Sequence, residues 1–170
     1  GITELVGCGA DVIVDDVFYF AEPMFQDGFI AKAAQDAVDA GVPYFSSAGN
    51  SARFGVHDVF TDVSGSNEMI VGLPTGVDFL SFEGGNEFAS VILPAGCEVT
   101  FILQWAEPFD GTQGAGAQTD LDLLICTAES AASCSYISGD PQGDCAGSAL
   151  GDPLEIGSYP NETGASQTVY

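Results

Sequence analysis

An asparagine ends the stretch Gly41–Asn50, GVPYFSSAGN, directly after an Ala-Gly pair. A neutral amide on a short stem at a strand end has three uses. It caps a helix, it holds a turn, or it aims an N–H donor at a substrate. Two adjacent carboxylates, Asp15 and Asp16, close a second apolar stretch, ADVIVDD. Asp120 and Asp122 lie in TDLDLLIC, two residues apart, a spacing that puts both on one face of a strand. Such a pair, with loop carbonyls, supplies the hard oxygen ligands that Ca²⁺ takes; it reads equally as the solvent face of a strand in an acidic protein. The single histidine, His57, precedes Asp58, but no nucleophile lies within sequence reach of it. The pair therefore reads as part of a strand rather than as a catalytic dyad.

Five cysteines stand at Cys8, Cys97, Cys126, Cys134 and Cys145. None has CxxC spacing and His57 has no second ligand near it, so a zinc site is not expected. Three of them crowd into CTAESAASCSYISGDPQGDC, which predicts a disulfide-tied loop in an exported protein. The odd count leaves a free thiol, and Cys8, beside an apolar strand, is expected to be a buried, inert one.

Charge removes whole classes of function. Asp and Glu total 25 against two basic residues, Lys32 and Arg53, for a formal net charge of −23. Such a surface repels phosphate backbones and anionic membranes, so neither nucleic acid nor membrane is an expected partner. It suits a salty or calcium-containing medium, where cations screen the repulsion. Hydrophobic residues make up 46% of the 170, enough for a packed core. No apolar run is long enough to span a bilayer and no leader pattern is present. The chain reads as a piece of a longer one, so a missing leader does not argue against export.

These candidate residues need elements to hold them. ADVIVDDVFYF is a strand signal after Gly9. QDGFIAKAAQDAVDAG carries Ile30, Ala33, Ala34, Ala37 and Val38 at helical spacing, with Asp27 as the expected N-cap and Gly41 as the stop. VPYFSSA is the next strand. Strand, helix, strand makes a βαβ unit, whose ligands sit at the carboxyl ends of the strands, where Asn50 stands. After Asn50 the texture changes. In FASVILPAGCEVTFILQWAEPF, the residues Cys97, Val99, Phe101, Leu103 and Trp105 alternate with Glu98, Thr100, Ile102 and Gln104, and PAG makes a turn between two strands. No helical periodicity follows Phe54. The expected division is 1–53 for an α/β part and 54–170 for a mostly antiparallel β-sandwich, jelly-roll-like and incomplete.

Residues 5–51, with GADVIVDD, an Ala-rich helix and GVPYFSSAGN, resemble the middle of the subtilisin-like serine peptidases (subtilases). The resemblance implies a parallel sheet and serine endopeptidase activity on peptide or protein substrates. It implies that Asn50 donates to the oxyanion, that Ser47, Ala48 and Gly49 floor the specificity pocket, and that the strand carrying Asp16 and Val17 flanks it. No cofactor is implied for catalysis. GVHDVF, VILPAG, LQWAEPF and TDLDLLI resemble a β-sandwich inserted before the nucleophile in some of these enzymes, akin to pre-peptidase C-terminal domains.

The chain also departs from that pattern. No Gly-Thr-Ser with a following Pro is present; DVSGSNEM and DGTQG are near misses without the apolar strand and helix such motifs need. His57 is not followed by Gly, and the catalytic Asp motif is absent. The chain alone is therefore expected to be inactive, with the missing groups in the remainder of its own catalytic domain. Where the family has Ser-Leu-Gly, this chain has Asp15 and Asp16. They either change substrate pairing, select basic side chains or face solvent. The alternative to the peptidase is an acidic, secreted, non-catalytic β-sandwich that binds or adheres, stabilised by Ca²⁺. Trp105 and Tyr136 have the ring faces that stack on sugars, although the alternation assigns Trp105 to a core. Asn161 opens the sequon NET.

Overall fold

The computed structural model describes residues 1–50, 55–61, 79–82, 85–112, 114–139, 142 and 151–170. Cys145, Arg53 and the stretch DVSGSNEM lie outside the described residues. The protein is mixed α/β with small sheets, and no closed barrel occurs among the described residues. It divides into two units. One comprises Gly1–Gly55, Gln104–Asp120 and Pro141–Leu154; the other comprises Val56–Leu103, Leu121–Asp140 and Glu155–Tyr170.

The first unit contains the βαβ arrangement. Helix α1 (Ile2–Gly7) leads to strand β1 (Ile13–Asp15), helix α2 (Phe29–Asp39) and strand β2 (Tyr44–Ser46). Strands β1 and β2 pair in parallel with Ile13 opposite Tyr44, Val14 opposite Phe45 and Asp15 opposite Ser46. Helix α2 contacts both α1 and β2, and buries Ala37. Its start differs from expectation. The N-cap is Gly28, not Asp27, and no side chain caps from that position. Instead the Glu22 carboxylate accepts from the backbone N–H groups of Ile30 and Ala31 at 3.3 and 2.7 Å. An anion there satisfies two orphan donors and sits at the positive end of the helix dipole. The stop is the expected one. Gly41 has φ +87°, its N–H donates to Val38 O, and the Val42 N–H donates to Ala37 O. That paired closure needs a left-handed residue, which glycine adopts without a Cβ penalty.

Helix α1 places Cys8 as its C-cap, exposed to solvent. Cys8 is therefore not the buried thiol the flanking strand suggested.

The second unit is β-rich, and no α-helix occurs among its described residues. Strand β3 (Val91–Leu93) pairs antiparallel with β8 (Gln167–Val169), β4 (Glu98–Gln104) pairs with β7 (Leu154–Pro160), and β5 (Leu123–Cys126) pairs antiparallel with β6 (Cys134–Ser138). The PAG turn does link two strands, but it carries the chain from one two-stranded sheet to another. Cys97 is exposed, and the predicted alternation holds over Glu98–Phe101 before both faces of β4 become half-covered. Trp105 falls just past the strand, half-buried. Among the described residues, Leu93, Ile125, Cys126, Ala131 and Val169 form the buried apolar set of this unit.

Buried among them is Asn161, only 1% exposed. Its Nδ2 faces the carbonyls of Leu93, Pro94 and Ala165 at 2.8, 3.1 and 2.9 Å. Its Oδ1 accepts from the Thr163 N–H and hydroxyl. The sequon reading fails in this fold, because a glycan on Nδ2 cannot coexist with an amide turned inward onto three carbonyls.

Candidate functional site

The carboxyl ends of β1 and β2 are tied together by side chains. Register sets Asp15 beside Ser46, whose hydroxyl donates to Asp15 Oδ1 at 2.6 Å. The Tyr44 hydroxyl donates to Asp15 Oδ2. The Ser47 N–H donates to the Asp15 carbonyl at 3.2 Å, extending the parallel ladder one step. The Ser47 hydroxyl donates to Asp16 Oδ1 at 2.6 Å. Asp15 is thus occupied on both oxygens by two hydroxyls of β2, whereas Asp16 is exposed and engaged on one.

Protonation follows from these bonds. The Ser46 and Tyr44 hydroxyls, with the Val17 N–H, hold the Asp15 carboxyl below its ordinary value. Burial, then the hydrogen bond to Asp15 and its negative charge, push the Tyr44 phenol up to about 12. The pair is a phenol donating to a carboxylate throughout the neutral range.

Beyond Ser47 the chain runs through Ala48 and Gly49 to Asn50, all exposed. Gly49 has φ +66°, a left-handed step that re-aims the chain at the strand end. The Phe18 ring lies beside it, 3.8 Å from where a Cβ would stand. Among the described residues the Asn50 amide has no hydrogen-bond partner, so it neither caps a helix nor closes a turn in them. Val17, at the other strand end, is 59% exposed. The structure therefore brings Asp16 and Ser47 into contact and leaves Ala48, Gly49 and Asn50 as an open rim beyond them. Sequence reasoning missed Tyr44 and Ser46, which the register of β1 against β2 brings onto Asp15.

The two residues expected to ligate Ca²⁺ are Asp120 and Asp122. Both precede β5 rather than lying within it, and they belong to different units. Asp120 Oδ1 accepts from the Gln142 N–H at 3.2 Å, and Asp122 is exposed. Among the described residues no group of three or more His, Cys, Asp or Glu is placed to hold a metal ion. No family model, curated protein or solved structure matches the chain.

Proposed function

We infer that the first unit is part of a secreted subtilisin-like serine endopeptidase and that Asn50 is its oxyanion-hole donor. The observation that carries this reading is an amide without a partner among the described residues, set past Ser47, Ala48 and Gly49 on the carboxyl side of a parallel βαβ strand. In the proposed reaction a serine supplied by the rest of the catalytic domain attacks the peptide carbonyl, with a histidine as base. The Asn50 Nδ2–H donates to the oxyanion that forms. Ser47, Ala48 and Gly49 then floor the specificity pocket, and Asp16 and Val17 flank it. No cofactor is needed for the chemistry.

A second feature supports the same reading. Val14 and Phe45 are register partners, yet they are 72% and 59% exposed. A parallel pair is ordinarily covered on both faces, and two strands do not stand alone in water. The remainder of an α/β domain is the natural cover. The β-rich unit is, on this proposal, an inserted antiparallel sandwich of jelly-roll type. The test is the gene. Asp and His-Gly motifs upstream of Gly1, with Gly-Thr-Ser and Pro downstream of Tyr170, are expected. A frame lacking them sinks the peptidase reading.

One observation favours the alternative, an acidic secreted binding module. The β-rich unit has its own buried apolar set, its own disulfide and the Asn161 hub. If binding is its role and Ca²⁺ stabilises the protein through Asp120 or Asp122, the melting temperature rises with added Ca²⁺ and falls with chelator. An unchanged melting temperature removes the calcium.

A further inference from the structure

Cys126 and Cys134 are joined by a disulfide and face each other directly across the β5–β6 pair. The Cys126 N–H and carbonyl both turn away from β6. They exchange hydrogen bonds with Tyr170 at 2.7 and 2.9 Å. The two cysteines are therefore a non-hydrogen-bonded pair, the position where opposed side chains approach most closely. Cys126 is buried at 4% exposure, whereas Cys134 is half-buried and opens onto the turn 127–133.

The hairpin does not depend on the sulfurs for its register. Leu123, Leu124 and Ile125 pair with Ser138, Tyr136 and Ser135, and Ile125 is buried. The turn is closed without sulfur too. Ser133 Oγ sits between the carbonyls of Ala128 and Ser130 at 2.8 and 2.7 Å and accepts from the Ala128 N–H. The Thr127 N–H donates to Ser133 O, and the Ser133 N–H to Ser130 O. A hairpin held this way keeps two thiols facing one another after the bond opens, so the bond can close again.

We propose that the Cys126–Cys134 disulfide is a reversible clasp, open to exchange with a dithiol in the folded state, whose opening leaves both the turn 127–133 and the hairpin paired. A reagent thiolate attacks the accessible Cys134 Sγ, the S–S bond breaks, and Cys126 leaves as a thiolate and takes a proton. The reagent's second thiol then displaces Cys134 from the mixed disulfide. The dithiol ends oxidised, with both cysteines as thiols. The clasp holds whether or not the chain belongs to a peptidase.

The test uses the folded chain. The thiols free at the start are blocked with N-ethylmaleimide. Dithiothreitol is then added without denaturant, and newly exposed thiols are trapped with iodoacetamide. Cleavage after Glu129 separates the two cysteines for mass spectrometry. The expected result is label on both, with the β5–β6 amides still protected from hydrogen exchange. A second variant, Cys126→Ala with Cys134→Ala, should retain the same protection. Labelling that requires denaturant would overturn the proposal. So would loss of hairpin protection, on reduction or in the variant, because the bond would then be a fixed staple.

Discussion

The Tyr44 hydroxyl donates across the parallel pair to the Asp15 carboxylate, which also takes the Ser46 hydroxyl. Burial and Asp15 together raise the phenol to about 12. Because the folded value exceeds the unfolded one, this phenol stabilises the fold fully below about pH 10, and the contribution is lost as pH rises toward 12. In an ultraviolet phenolate titration, one of the five tyrosines should ionise late. Tyr44→Phe should remove that late step, and Asp15→Asn should move it back toward the ordinary tyrosine range. A late step that survives Tyr44→Phe would assign it elsewhere.

Asn50 separates function from structure. It is exposed and its amide has no partner among the described residues, so Asn50→Ala should change the unfolding free energy by no more than about 0.5 kcal/mol. In the peptidase proposed above, the same change should cut kcat about 100- to 1,000-fold with little effect on KM, since the proposed bond is to the oxyanion and not to the ground state. A large stability loss with unchanged kcat would make Asn50 a structural amide.

Asn161 is the opposite case. Its amide serves three carbonyls and its oxygen two donors of Thr163, all near the β3–β4 turn. Asn161→Ala strands buried carbonyls and should destabilise the β-rich unit by about 1–3 kcal/mol. Thermal unfolding of the variant checks it. Protein made in a glycosylating host should carry Asn161 unmodified.

The sequence made the βαβ unit legible because its signals are local. The Ile30–Val38 spacing and the Gly41 stop act within one helix. What stayed hidden depends on partners distant along the chain. Glu22 caps α2 from eight and nine residues before the donors it satisfies. Tyr44 meets Asp15 only through the register of two strands. Asn161 looks like a surface sequon until the β3–β4 turn folds over it. Cys8 was misplaced because α1 has six residues, too few for periodicity to declare a helix. The strand-end position of Asn50 was readable from GVPYFSSAGN alone; its freedom from its own backbone was not.

Glu107 supplies the most direct acid-side test, because it holds the single tryptophan. Its Oε2 accepts from the N–H groups of Gln118 and Thr119 at 2.7 and 2.9 Å and from the Trp105 indole at 3.3 Å. Its Oε1 accepts from the Thr119 hydroxyl at 2.5 Å. Burial alone would raise this carboxyl, but the bonds from Thr119, Gln118 and Trp105 outweigh it and lower the value. A lowered folded value means the contribution is present above the unfolded pKa, 4.5, and is lost as pH falls through the folded one. Below pH 4.5, protonation should release the Glu107–Thr119 closure and the indole together. Trp105 fluorescence should then shift in acid before the first unit unfolds. Glu107→Gln should show the acid-form emission already at neutral pH, with no further step on acidification. A step that persists in Glu107→Gln would assign the acid transition to another carboxyl.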